Sequence, residues 1–134
     1  MKFLARFEPL AYDVLRFFGG AMFSVHGMQK LFGVLTDQPR PPFGTQEWLG
    51  GVIELVCGIL VALGLFTRAA AFIASGEMAV AFFQFHFRGV FARWNWLPQD
   101  NGGEPAVLYC FLFFYIATRG GGRFGFDSEI RRRR

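Results

Sequence analysis

Charged residues are scarce in this sequence of 134 residues, where lysine, arginine, aspartate and glutamate together make up 18%. A soluble domain usually contains about a quarter of charged residues. Apolar residues account for 53% of the chain, and phenylalanine alone occurs 19 times. The composition therefore excludes a disordered tail, the length excludes a multidomain enzyme, and a membrane protein is favoured.

Cysteine and histidine are also rare, with two of each. Cys57 and Cys110 both fall in apolar segments, so no structural disulfide is expected. No histidine pair has the four-residue spacing of a helical metal site, and no Cys-x-x-Cys-His motif is present for haem attachment. We therefore predict no metal site.

Four apolar segments are long enough, or nearly so, to cross a bilayer as helices. The polar residues do not alternate as they would in a membrane barrel, so the sequence predicts an all-α protein. Crossing the hydrocarbon core takes about 20 helical residues. The spans of a four-transmembrane-helix bundle are expected at residues 11–32, 48–66, 69–87 and 105–118.

Several features outside these spans support the same interpretation. The N-terminal run contains Arg16 and His26 and has no small-x-small cleavage site, so it is expected to be an uncleaved first span and not a signal peptide. In the long loop before the fourth span, Trp94 and Trp96 are expected to be interfacial anchors. Pro105 suits the first turn of the fourth helix.

Lysine and arginine indicate the orientation. With four spans, both termini lie on one side, which holds nine basic residues, whereas the other side holds four. Since basic residues collect on the cytoplasmic side, both termini are predicted to be cytoplasmic. The formal net charge of +4 falls entirely within residues 119–134, a basic tail, so it indicates membrane orientation and no nucleic-acid partner. The terminal arginines could equally be solvated coil.

Ionisable residues inside a span are costly and are therefore candidates for function. Counting about 1.5 Å of rise per residue places His26 and Glu54 at a similar depth in the outer half of the bundle. Such a pair could hold the helices together, relay a proton or orient a quinone-like carbonyl group. The predicted polar pocket near the outer face consists of His26, Gln29, Lys30, Glu54, His86, Asn101 and Glu104.

Two further charges lie nearer the inner face. Arg16 and Glu77 are predicted to form a structural ion pair, because their estimated depths are similar and intramembrane charges usually pair. His86 follows Glu77 by nine residues, which puts it about 180° away on an ideal helix. Either the end of the third helix unwinds or His86 contacts a different neighbour.

Taken together, several motifs of this sequence resemble those of a known protein family. The run RFFGGAMFSVHGMQKLFG begins at Arg16, and Glu54, His86, the NGGE element at 101–104 and the GRFGFD element at 122–127 follow it. Over residues 12–127 this order resembles the DoxX family of small bacterial inner-membrane proteins. The resemblance implies a single integral membrane domain of four helices in the plasma membrane. It also implies an association with thiosulfate:quinone oxidoreductase and with complexes that handle thiols or oxidative stress.

Three functions are compatible with these features. The first is a membrane subunit of a redox-linked complex whose pocket binds a quinone and which is not catalytic alone. The alternative is a non-enzymatic scaffold that recruits a cytoplasmic partner through its basic tail. A transporter ranks third, because the inner half offers few polar residues beyond Arg16 and Glu77. The chain lacks the paired-cysteine motif that disulfide exchange requires, and in this respect it differs from the redox function that the resemblance implies.

Overall fold

The structure, a computed structural model, describes residues 2–87 and 96–133; the predicted anchor Trp94 lies outside them. Within these ranges the chain is all-α, as predicted, with no strand. The helices are α1 (Lys2–Ala5), α2 (Glu8–Phe32), α3 (Gln46–Leu63), α4 (Thr67–Ala81) with a π-helical turn (Phe82–His86), α5 (Pro98–Asn101), α6 (Glu104–Arg119) and α7 (Phe126–Arg132).

The four long helices form an antiparallel bundle. Helix α2 packs along α3, α3 packs against α4, and α4 packs along α6, which also touches α2. The Tyr12 hydroxyl donates to the Gly120 carbonyl, so α2 begins at the end where α6 finishes. We call this the tail end; it comprises residues 8–16, 61–68 and 119–128. The opposite, pocket end contains the α2–α3 loop, the π-helical turn and α5.

The helix boundaries follow local sequence signals. Thr45 caps α3 by accepting a hydrogen bond from the Trp48 amide, and Pro105 lies in the first turn of α6. Gly33 and Gly64 end α2 and α3 with φ of +67° and +70°, values that glycine adopts without steric cost. Among the four expected spans, the third differs most from its predicted form. Its α-helix ends at Ala81, and a π-helical turn follows.

Length and hydropathy together distinguish α3 from the other helices. Among the described residues, only α3 meets both the length and the hydropathy expected of a membrane span, with a mean hydropathy of 1.6 over 18 residues. Helices α4 and α6 are shorter, with 15 and 16 residues, and α2 is long but carries charged residues within it. The number of spans therefore stays a prediction.

The bundle has an apolar core, but its outer faces and some of its buried charges differ from those of a soluble bundle. Large apolar side chains on the outer faces are exposed, among them Phe17, Phe18, Leu108, Phe111 and Phe114. Charged side chains of Asp13, Arg16 and Glu54 are buried instead. Extensive exposed apolar surface is typical of a protein that faces lipid or another protein.

Glycines allow the backbones of α2 and α3 to touch. A β-carbon built on Gly58 would lie 2.6 Å from the Ser24 amide nitrogen, and one on Gly20 would lie 2.6 Å from the Gly58 carbonyl oxygen. About two turns after Gly20, a β-carbon on Gly27 would meet the backbone of Leu55. Small residues at a helix interface permit this close approach, which dispersion forces and polar contacts then stabilise.

The tail end holds a buried charge cluster that corrects one prediction. Arg16 donates to the carbonyl oxygens of Val61 and Ala62, and its Nη2 lies 3.8 Å from Asp13 Oδ1. The predicted ion pair between Arg16 and Glu77 is wrong. Arg16 reaches only the C-terminal end of α3, whereas Glu77 lies ten residues, about 15 Å, along α4 from the tail end.

The basic tail packs onto the same end. Arg131 and Arg132 of this tail are helical and not coil, because they belong to α7. The Asp127 amide donates to the Gly64 carbonyl, and the Asp127 carboxylate accepts from the amides of Phe66 and Thr67 at the start of α4. Partial burial alone would raise the pKa of Asp127, but these hydrogen bonds outweigh it and hold the pKa below its usual value.

The glycine contact gives a first prediction. Gly58→Ala should lower the free energy of unfolding by about 1–3 kcal/mol, because the new methyl group forces α2 and α3 apart. Gly76→Ala is the matched control: its β-carbon would meet no atom within 4 Å, and alanine favours a helix by about 1 kcal/mol. Thermal unfolding in detergent measures both. Equal stability of the two variants would contradict the close contact.

Candidate functional site: a polar cavity between the helices

A cavity of about 650 Å³ opens at the pocket end between α2, α3, α4 and α6. Its polar lining residues are His26, Lys30, Gln46, Glu47, Glu54, Glu77, His86 and Tyr109. Its apolar walls include Phe23, Ile53, Ile73, Met78 and Phe85. A mostly apolar cavity with a few converging polar groups is the usual form of a small-molecule site.

An ion pair between α2 and α3 lies at the centre of the cavity wall. Lys30 Nζ donates to Glu54 Oε1 at 2.7 Å, and the Glu54 side chain is only 4% exposed whereas that of Lys30 is 31% exposed. The glycine contact brings them together, since a β-carbon on Gly51 would lie 2.9 Å from Lys30 Cβ. Without a side chain at Gly51, Lys30 can lie against α3 and reach Glu54.

A second carboxylate approaches from α4. A β-carbon on Gly50 would lie 3.1 Å from Glu77 Oε1 and 4.0 Å from Lys30 Nζ, so both charged groups lie over the same glycine. Glu54 Oε2 and Glu77 Oε2 are buried and have no hydrogen-bond partner among the described residues. Lys30 thus pairs with Glu54 and lies near Glu77, and one buried oxygen of each carboxylate remains unpaired.

Tyr109 contributes an aromatic ring to the cavity lining. Tyr109 stacks on Phe113, with ring centroids 5.7 Å apart, and meets the edge of His26 at 6.2 Å. His26 lines the cavity at its exposed margin, but Glu54 hydrogen-bonds to Lys30, so the predicted link between His26 and Glu54 is not a direct hydrogen bond.

The π-helical turn explains how His86 reaches the same cavity as Glu77. An i to i+5 hydrogen bond from the Phe87 amide to the Phe82 carbonyl changes the helical phase after Ala81. Of the two alternatives from the sequence, a distorted helix end is the one that the structure contains. His86 Nδ1 lies 3.2 Å from the Asn101 carbonyl oxygen, which connects this turn to α5.

Three of the predicted pocket residues do not line the cavity. Gln29 donates to the Leu35 carbonyl in the loop after α2, and Asn101 accepts from the Gly103 amide. Glu104 is exposed in the first turn of α6. All three lie at the expected end of the bundle, but depth alone could not tell which way each side chain points.

Sequence reasoning missed other lining residues. Gln46 and Glu47 begin α3 just before its apolar run, a position that indicated only a helix start. Glu77 was assigned to a different ion pair. In the sequence, Glu77 stands out only because it lies in an apolar segment. That position indicates that Glu77 needs a partner but does not identify the partner.

The donor and acceptor set defines the chemistry available. Lys30 and Tyr109 can donate hydrogen bonds, and Glu54 and Glu77 can accept them. No group of three or more metal-ligating side chains capable of holding a metal ion occurs within the described ranges. The cavity can therefore bind a small molecule that carries both carbonyl or hydroxyl groups and an apolar body.

Double-mutant analysis tests the central ion pair. Lys30→Met should lower the free energy of unfolding by about 1–3 kcal/mol, because it leaves the buried Glu54 without its partner. Adding Glu54→Gln should restore part of that loss. Glu47→Gln, an exposed residue of the same cavity, should change stability little. Unfolding in detergent gives these values; additive single-variant costs would mean that the two residues do not interact.

Comparison with known proteins identifies the family of this chain. The family model described as DoxX matches residues 11–87, which include most of α2 and all of α3 and α4, with Lys30, Glu54 and Glu77. A protein of Haemophilus influenzae, named "Uncharacterized protein", is 40% identical over 134 residues, covering 97% of this chain and 98% of its own length. No solved structure matches the chain. The chain therefore belongs to the DoxX family, which indicates a membrane protein.

Proposed function

We propose that the protein spans the bacterial inner membrane four times, with both termini in the cytoplasm. Three observations support this: the antiparallel bundle, the exposed apolar outer faces and membership of the DoxX family. The helices also fit a bilayer approximately, since α3 and α6 are about 27 and 24 Å long. Basic residues concentrate at the tail end, where Arg68, Arg119 and Arg123 lie.

Topology reporters test this arrangement. A green fluorescent protein fused after residue 134 should fluoresce, because it folds in the cytoplasm. Alkaline phosphatase inserted after Arg40, in the α2–α3 loop, should be active because that loop lies outside. The reciprocal fusions are the controls and should be inactive. An active phosphatase at the C-terminus would contradict the proposed orientation.

We propose further that the polar cavity binds a quinone, and that the protein acts as the membrane subunit of a redox-linked complex. The observation that carries this proposal is the cluster of Lys30, Glu54 and Glu77, which lines an apolar-walled cavity and contains two buried carboxylate oxygens without a partner among the described residues. Quinones concentrate in the bilayer and need a binding slot that is apolar around the ring and polar at the oxygen atoms.

Both redox forms of a quinone match this donor and acceptor set. The oxidised form has two carbonyl groups, which accept hydrogen bonds from groups such as Lys30 and Tyr109. The reduced form has two hydroxyl groups, which donate to carboxylates such as Glu54 and Glu77. Reduction of the quinone requires two electrons and two protons. A partner subunit that oxidises a thiol or thiosulfate supplies the electrons, and water at the membrane surface supplies the protons.

Ligand binding tests the cavity directly. Tyr109→Phe should weaken the binding of decylubiquinone to the purified protein about three- to tenfold, because it removes one hydrogen-bond donor. Tyr115→Phe is the matched control, since the Tyr115 hydroxyl binds Arg119 at the tail end. Glu77→Gln should also weaken binding, whereas Glu104→Gln, outside the cavity, should not. Isothermal titration in detergent provides the dissociation constants.

Respiration in cells tests the redox assignment. Thiosulfate- or thiol-dependent oxygen uptake should fall when Tyr109→Phe or Glu77→Gln replaces the wild type, and should be unaffected by Tyr115→Phe. Undetectable decylubiquinone binding together with unchanged respiration would overturn the proposal. If deleting residues 131–134 then releases a co-purifying soluble protein, the scaffold function takes its place.

A further inference from the structure

A second cavity, of about 540 Å³, lies at the tail end, far from the polar cavity described above. The start of α4, the end of α6 and the helix α7 surround it. Its charged lining residues are Arg68, Arg119, Arg131 and Asp127, and its apolar lining residues include Phe66 and Ile130. The proposed quinone site uses none of these residues.

The charges in this cavity leave a positive excess. The Asp127 carboxylate is occupied by the amides of Phe66 and Thr67, and Arg119 is paired with Glu8. Arg68 makes only a 3.4 Å hydrogen bond to the Arg119 carbonyl oxygen. The Arg131 guanidinium makes no hydrogen bond or ion pair with another described residue, although its charge helps to lower the pKa of Asp127. Two guanidinium groups are therefore available to an anion.

The rim of the cavity is apolar. Phe66 is 69% exposed although it stands beside Arg68, and Ile130 and Phe126 of α7 are exposed as well. Phe66 also holds a left-handed backbone conformation, with φ of +47°, which the Asp127 hydrogen bond to its amide supports. Arginines bordered by exposed apolar side chains are typical of the boundary between lipid headgroups and acyl chains.

We propose that this cavity binds the phosphate group of an anionic phospholipid, with Arg68 and Arg131 contacting the phosphate oxygens and Phe66 and Ile130 contacting the first part of an acyl chain. Guanidinium groups match the geometry of phosphate oxygens, and basic pockets between helices on the cytoplasmic side bind anionic headgroups. The inference rests on the proposed membrane insertion but not on the ligand of the polar cavity.

The same residues would connect the bound lipid to the fold. Asp127 joins α7 to both the end of α3 and the start of α4, so a lipid held by Arg131 of α7 and Arg68 of α4 crosses that junction. Binding should consequently stabilise the attachment of α7, because a ligand that binds only the docked arrangement favours it by mass action.

Native mass spectrometry of the full-length protein in detergent tests the proposal, with phosphatidylglycerol and phosphatidylcholine as probes. The wild type should retain phosphatidylglycerol in preference to phosphatidylcholine. The double variant Arg68→Gln/Arg131→Gln should weaken phosphatidylglycerol binding about tenfold or more. The control is Arg132→Gln/Arg133→Gln, which removes the same charge from arginines that pair with Glu129 outside the cavity and should leave binding near the wild-type value.

Three results would overturn the proposal. Equal weakening by both double variants would mean diffuse surface attraction, and equal retention of both lipids would mean no headgroup recognition. Displacement of phosphatidylglycerol by excess inorganic phosphate would identify a free anion as the ligand. If the first double variant does not fold, Arg131→Gln alone, at an exposed position, serves instead. Because decylubiquinone binding depends on other residues, failure of the quinone site would leave these results unchanged.

Discussion

The direct contact between the backbones of α2 and α3 is the constraint on which the rest of the structure depends. Glycines at 20, 27, 51 and 58 remove the side chains that would separate the two helices. As a consequence, Arg16 can reach the last carbonyl groups of α3 at one end, and Lys30 can reach Glu54 at the other. The packing of α2 against α3 therefore positions two cations of α2, the buried Arg16 and the partly exposed Lys30.

These two cations have different surroundings. The Arg16 guanidinium meets two carbonyl oxygens and Asp13, which in turn accepts from the Arg123 amide, so this cluster joins three parts of the chain. Lys30 instead faces a cavity and two carboxylates, each with one buried oxygen that lacks a partner. Arg16 Nε is also buried without a hydrogen-bond partner among the described residues, but Arg16 lines neither of the two cavities, whereas Lys30, Glu54 and Glu77 all line the polar cavity. It is the position of unpaired polar groups beside a cavity that indicates a binding site.

Sequence reasoning located the site more accurately than it identified the contacts within it. It predicted the pocket end and four of the lining residues, because depth along a helix follows directly from residue count. It paired Glu77 with Arg16, because equal depth does not show which helices are adjacent. It could not decide how His86 reaches the cavity, because an ideal helix wheel does not include the change of phase that the π-helical turn introduces after Ala81.

The sequence by itself determined the helical class, the approximate limits of the four long helices and the apolar character of their outer faces, because these depend on composition and on the short-range preferences of glycine, proline and threonine. The tertiary structure alone decided that Lys30 pairs with Glu54, and that Asp127 attaches the basic tail to the start of α4. Those contacts join residues distant in the chain, and only the packing of helices at particular rotations brings such residues within hydrogen-bonding distance.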